Sequence, residues 1–260
     1  MASPQSGYAP VNGIRMYYEI HGRGGTPLVL LHGGGSTIDV TFSKVLPIFA
    51  QHRTVIAVEE QGHGRTTDRD APVRFDTSAD DVAALLDHLK VPRADLFGFS
   101  NGASVAMQVA LRHPGKVRKL VYASSMTRKD GVPAEFWQSM QRVAFADMPQ
   151  PLKDAFLKVN PDPQKLLAMF HKDAERMQQF VDVPDIRVRS IKAPTLILSG
   201  DRDLVKPEHA VELSRMIAGA RLAILPGAHG EYLGEALAYR PGSRAPEFTA
   251  GLVEEFLDAS

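Results

Sequence analysis

The 260-residue sequence contains no cysteine, which excludes a disulfide framework, a thiolate nucleophile and zinc or iron–sulfur sites built on Cys. Neither sign of charge is in excess. Thirty Lys plus Arg stand against thirty Asp plus Glu, so the general attraction that nucleic-acid binders use is missing, and neither nucleic acid nor an acidic membrane is expected as a partner. No run approaches the roughly eighteen apolar residues of a membrane span. The start, Met1-Ala2-Ser3-Pro4, has neither the basic nor the apolar region of a secretory signal, and a soluble protein of cytoplasmic type is expected. Nine histidines show no H-E-x-x-H or H-x-H spacing, so no metal is expected. Internal repeats and low-complexity tracts are absent as well.

Apolar residues make up 44% and charged residues 23% of the chain, enough hydrophobic material for a large core and too little charge bias for disorder. Length alone allows one domain or two. Asn12-Gly13 lies between two β-prone runs and predicts an antiparallel hairpin. Short apolar runs at 28–31, 54–58, 95–99, 120–123, 195–199 and 222–225 suit strands buried on both faces. Between them lie helical patterns. Thr77-Ser78-Ala79-Asp80 reads as a capping box opening a helix through Val82, Leu85, Leu86 and Leu89 that ends before Pro92. Residues 104–111, 208–217 and 246–257 continue the apolar spacing of helices. Buried strands alternating with helices give an α/β fold with a mostly parallel sheet covered on both faces.

The alternation breaks between Met126 and Asp185, where six prolines punctuate helix-like pieces and no strand-like run occurs. An all-helical insertion is expected at 126–185, with an apolar stripe of Leu166, Leu167, Met169, Phe170, Ala174, Met177 and Phe180. Five of the nine methionines fall in this stretch. Met suits a pocket wall or a movable lid, although most of these residues are expected to seat the insertion on the sheet.

The chemistry is carried by three separate motifs. Gly98-Phe99-Ser100-Asn101-Gly102 sits between a buried strand and a helix, the context of a nucleophile elbow in which a sharp turn lifts the Ser100 hydroxyl clear of the sheet. A serine nucleophile needs a base, a group that orients the base, and donors for the oxyanion. His32-Gly33-Gly34-Gly35 ends an earlier strand, and the N–H groups of Gly34 and Asn101 are the expected oxyanion donors. Glycine spacing there fits neither G-x-G-x-x-G nor a Walker loop. Thr195 to Ser199 runs into the acidic turn Gly200-Asp201-Arg202-Asp203, and Leu222 to Leu225 runs into Pro226-Gly227-Ala228-His229. The order Ser100, Asp203, His229 is the one expected when such groups occupy successive strand ends of one sheet.

In these four motifs the chain resembles the α/β-hydrolase superfamily over almost its full length. The resemblance implies eight strands with the second antiparallel, a core domain of residues 1–125 and 186–260, and a helical cap at 126–185. It also implies Asp203, the last place of the G-x-x-D turn, as the carboxylate, with Asp201 as its turn-forming neighbour. Two departures stand out. Glu59 occupies a place where many relatives carry Asp, ahead of the Gly62-His63-Gly64-Arg65 turn, so Glu59, Glu60 and His63 are assigned no chemistry. The link from Gly230 to Ala245, with Tyr232, Glu235 and Tyr239, is longer than usual and is a candidate border of the pocket or a partner surface. Of the remaining histidines, His32 is expected to hydrogen-bond its loop and His113 to cap a helix end, and His21, His52, His88, His171 and His209 to serve as surface or packing residues.

The expected activity is hydrolysis of a carboxylic ester or lactone of an apolar small molecule, through an acyl-enzyme on Ser100 and without a cofactor. Phe136, Trp137 and Met140 are candidate substrate contacts. Serine at 100 argues against dehalogenase- and epoxide hydrolase-like relatives, which use a carboxylate. Carbon–carbon bond hydrolysis, lyase activity and haloperoxidase or perhydrolase chemistry are the enzymatic alternatives, and a signal receptor or other ligand-binding protein on the same fold is the alternative of another class. Monomer and homodimer are both compatible with the sequence.

Overall fold

Strands β1 (Gln5–Val11) and β2 (Ile14–His21) pair antiparallel around Asn12 and Gly13. Both turn residues have positive φ, 44° and 86°, as a two-residue hairpin turn matching the strand twist requires. The computed structural model describes residues 4–259. After the hairpin come β3 (Leu28–Leu31), α1 (Ile38–Phe42), α2 (Leu46–His52), β4 (Val55–Val58), α3 (Phe75–His88), β5 (Ala94–Phe99), α4 (Asn101–Arg112) and β6 (Val117–Ala123). The next four helices, α5 (Ala134–Met140), α6 (Gln150–Val159), α7 (Pro163–Gln178) and α8 (Asp185–Arg189), form the insertion. The chain returns to the sheet as β7 (Thr195–Gly200), α9 (Pro207–Met216), β8 (Arg221–Leu225) and α10 (Ala245–Asp258).

The eight strands make one sheet in the order β1-β2-β4-β3-β5-β6-β7-β8, antiparallel at β1/β2 and β2/β4 and parallel elsewhere. Alternation along each central strand feeds two cores. Val29, Leu31, Ile56, Val58 and Leu96 face α3 and α4, whereas Leu28, Leu30, Val55, Ala57 and Phe97 face α1, α2 and α10. Each of these side chains except that of Ala57, fully buried, contributes about 1.5–3 kcal/mol of transfer free energy. The chain leaves β3 for β4 on one side and then crosses from β4 to β5 on the other side of β3, so the carboxyl ends of β3 and β5 flank the point where strand order reverses. Ligand crevices form at such points.

Several expectations are corrected. The helix predicted from a capping box at Thr77 begins two residues earlier, at Phe75, with Arg74 as N-cap and no side-chain cap. The Phe75 ring packs edge-on against Phe180, and Asp80 is drawn to Arg112 and His113 instead of to a helix terminus. Tertiary contacts thus override the local signal. His113 is the C-cap of α4, at the helix end as expected, and its side chain reaches Asp80 at 2.7 Å. β8 is an edge strand with Leu222 and Ile224 more than a third exposed, not a strand buried on both faces. The short helices α1 and α2 carry no long periodic pattern and escape sequence reading.

Candidate active site

Ser100 follows β5 and is the N-cap of α4, with φ 54° and ψ −122°. A non-glycine residue rarely adopts this region, and the strain is held by its surroundings. Gly98 and Gly102 make the turn possible. A Cβ on Gly98 would strike the Gly102 carbonyl and the Ala103 backbone, and one on Gly102 would strike the Leu31 and His32 carbonyls at the end of β3. The Ser100 N–H donates to the Ala123 carbonyl at 2.9 Å, which ties the elbow to β6.

His229 follows β8 and lies 3.1 Å through Nε2 from Ser100 Oγ. Its Nδ1 lies 2.7 Å from Asp203 Oδ1, so the Nδ1 proton is donated to the carboxylate and Nε2 is turned to the serine. Asp203 also accepts from the N–H groups of Gly200 and Val205, each at 3.2 Å, and from the Ser124 hydroxyl. Burial would raise this carboxyl; the His229 hydrogen bond and charge, with Ser124 and Gly200, outweigh it and hold Asp203 below the usual range. Buried Tyr232 donates to Ser124 Oγ at 2.6 Å and completes the chain. Asp201 accepts from the Gly227 N–H at 2.7 Å and shapes the adjoining turn. Neither Ser124 nor Tyr232 was marked as part of this arrangement by sequence; Ser124 itself has φ 51°.

The glycine loop after β3 faces the elbow. Thr41 Oγ1 accepts from the Gly33 N–H at 3.3 Å, and Asp173 Oδ2 accepts from the Gly35 N–H at 2.6 Å. Between them, among the described residues, the Gly34 N–H has no protein acceptor. The Asn101 N–H belongs to the first turn of α4, where a helix leaves its donors without internal partners.

Asp173 belongs to a buried charged cluster that sequence reading passed over. Arg176, one turn on in α7, pairs with Asp173 and, at 2.8 Å, with Glu60 after β4. His63 Nε2 lies 3.7 Å from Asp173 Oδ2, and the His32 ring lies 5.1 Å from that of His63. Burial tends to raise the carboxyls of Glu60 and Asp173, but Arg176 and the histidines hold both below their ordinary range. His63 is raised, against burial, by Asp173 and Glu60. His32 is pushed down to about 4, first by burial and then by His63. Its Nδ1 donates to the Gly33 carbonyl at 2.8 Å while Nε2 accepts from the Glu60 N–H, so its loop-holding role is as expected. One signal was present in the sequence: positions 173 and 176 fall on the same helical stripe as Leu166, Met169, Phe170 and Met177, and charges on an apolar stripe require buried partners.

Ser100, His229, Gly34, Asn101 and Asp173 line one cavity of about 270 Å³ beneath the insertion. Phe136 and Met140 line it too. Trp137 does not: its ring packs on Phe136 and Phe180, and its Nε1 donates to the Lys129 carbonyl at 2.7 Å. Aromatic character alone could not tell which of two neighbouring residues on α5 faces inward. A larger groove of about 590 Å³ beside α3 and α4 contains none of Ser100, Asp203 or His229. Among the described residues no three or more His, Asp or Glu side chains are placed to hold a metal ion, and no helix is long and apolar enough to cross a membrane.

Comparison with known proteins agrees with this architecture. Residues 26–174 match the family model of the alpha/beta hydrolase fold. The dihydrolipoyllysine-residue acetyltransferase component of the acetoin cleaving system of Pseudomonas putida is 31% identical over 82% of this chain, which spans 56% of that protein's length. The 2-hydroxymuconate semialdehyde hydrolase of Pseudomonas sp. (strain CF600) is 29% identical, with 82% of each chain covered. A pimeloyl-[acyl-carrier protein] methyl ester esterase of Neisseria meningitidis serogroup A is 30% identical over 87% of this chain and 77% of its own. Among solved structures, Est816, described as an N-acyl homoserine lactone degrading enzyme, superposes with a TM-score of 0.75 at 27% identity, covering 96% of this chain and 99% of its own.

Proposed function

Because the chain belongs to the alpha/beta hydrolase fold family, we propose that it is a serine hydrolase of small, uncharged carboxylic esters or lactones, with Ser100 as nucleophile, His229 as base and Asp203 as the residue that orients His229. The observation that carries this reading is the unbroken run from Ser100 Oγ through His229 to Asp203, at 3.1 and 2.7 Å. Ser100 Oγ attacks the acyl carbon as its proton passes to His229 Nε2. The carbonyl electron pair moves onto oxygen, which the Gly34 and Asn101 N–H groups receive. Collapse expels the alcohol, protonated by His229 and, in a lactone, still joined to the acyl chain. Water then gives a proton to His229 and its oxygen to the acyl carbon, and the acid leaves as Ser100 regains its proton.

The chemistry of the cavity supports this substrate class. Its lining includes the carboxylates Asp147 and Asp173 and the uncharged polar groups around Ser100, about half of it is Met, Phe, Leu and Val, and it contains no lysine or arginine. An anionic dienoate, as in carbon–carbon bond hydrolysis, would meet no counter-charge there, whereas a neutral ester loses little on entry. A volume of about 270 Å³ lies at the small end of ligand pockets and favours a compact acid. The four helices between β6 and β7 act in this reading as a cap over Ser100.

Replacing Ser100 with Ala is expected to lower kcat on p-nitrophenyl butyrate by more than about 10³-fold. In the wild type, turnover is expected to continue at steady state and to fall as the acyl chain lengthens to dodecanoate. Full activity in the Ser100 variant overturns the assignment, and a single stoichiometric burst without turnover points to a receptor.

A further inference from the structure

We propose that Asp173, on the insertion helix α7, is a positioning residue that holds both backbone segments supplying the oxyanion donors; this rests on the reading of Ser100 as nucleophile. Gly33, Gly34 and Gly35 have no side chains to fix their course beyond the His32 ring that holds the Gly33 carbonyl, and Gly35 sits at φ 61°. Its two flanking N–H groups are held instead by other elements. Thr41 of α1 takes that of Gly33, and Asp173 takes that of Gly35 at 2.6 Å, a charge-assisted bond of the stronger kind. The same carboxylate accepts from Asn101 Nδ2 at 3.5 Å. Gly35, which follows the donor Gly34, and the side chain of the other donor residue, Asn101, thus meet at one carboxylate. A Cβ added to Gly34 would collide with the Asn101 amide and the Asp173 carboxylate, which shows how closely the three are packed.

A carboxylate beside a forming oxyanion opposes the charge that catalysis must stabilise. Here the opposition is offset. Arg176 binds Asp173 and continues to Glu60, and His63 faces the other carboxylate oxygen at 3.7 Å. The donors are therefore aligned only while α7 is seated on the core, so the insertion acts on the transition state and not only on pocket shape. Small misplacement of such donors costs about 10- to 100-fold in rate.

The test uses Asp173→Ala and Asp173→Asn in the full-length protein, with rates expressed per active site titrated by the acylation burst. Asp173→Ala is expected to lower kcat by about 10- to 100-fold with KM changed less than about twofold. Asp173→Asn, whose amide oxygen still accepts from Gly35, is expected to fall between it and the wild type. The Ki of a trifluoromethyl ketone, which adds to Ser100 Oγ and carries the displaced electron pair as an oxyanion, is expected to rise by the same factor as kcat falls. A side chain that only shapes the pocket would raise KM, and one that only stabilises the fold would reduce the titrated sites; either result, or an unmoved Ki, overturns the proposal. If Asp173→Ala does not fold, Asp173→Asn decides by the same criteria. Full activity in Ser100→Ala overturns the reading of Ser100 as nucleophile on which this rests, whereas normal Ser100 acylation with a Ki indifferent to residue 173 overturns this proposal alone.

Discussion

Glu59 is fully buried beneath the turn that follows β4. It accepts from the Arg65 N–H at 2.6 Å and from the Arg65 guanidinium at 2.7 Å, and its carboxylate fills the space where a Cβ on Gly64 would stand. Burial raises its carboxyl from an ordinary 4.5 to about 6, although Arg65 pulls the other way. An acid with a raised folded pKa binds a proton on folding between the two values. Stability contributed by this group is therefore greatest below pH 4.5, declines as pH rises to about 6, and is level above. The decline amounts to about 2 kcal/mol. Glu59→Gln cannot titrate, so its unfolding free energy from urea melts is expected to gain about 2 kcal/mol on the wild type between pH 4 and pH 7; parallel pH profiles would contradict this origin. Among the residues of the site, legibility depended on locality. The elbow around Ser100 and the turns that end in Asp203 and His229 were legible because each motif spans a few residues. Asp173 was missed because Gly35 and His63, which it meets in the fold, lie more than a hundred positions away in the chain.

Within elements, glycine marks where backbones approach. Gly102 opens α4 against the end of β3, where an added Cβ would meet the Leu31 and His32 carbonyls. Gly102→Ala is expected to destabilise the protein by about 3 kcal/mol, the upper range for overpacking. Gly251 is the counter-example: it is exposed, lies inside α10, and an added Cβ would meet nothing within 4 Å. Gly251→Ala is expected to stabilise by about 0.5–1 kcal/mol through helix propensity. Chemical denaturation of both variants checks the pair, and similar effects at the two positions would refute the packing argument. Strand identities followed from sequence because buried parallel strands read as short apolar runs. The edge position of β8 did not, since nothing in a run of five residues says whether a further strand lies beyond it.

Across the whole molecule, the insertion is joined to the sheet domain by apolar contacts and by the buried pairing of Arg176 with Glu60 and Asp173. Arg176→Ala leaves two buried carboxylates without their partner, a change that costs about 3–5 kcal/mol when a buried pair is broken. The loss is expected to appear as faster hydrogen exchange and proteolysis across α6 and α7, with β3, β5 and β6 still protected; uniform loosening of sheet and insertion would show instead that the two open as one unit. The sequence by itself determined the parallel sheet, the place of the helical insertion, and the order of Ser100, Asp203 and His229, because hydrophobic periodicity and turn chemistry act over a few residues. Only the tertiary structure decided that Phe136 and not Trp137 faces the cavity, that α3 starts at Phe75, and that a carboxylate from the insertion holds the glycine loop. Those outcomes depend on which distant surfaces meet, and burial then sets the strength of each charge and hydrogen bond between them.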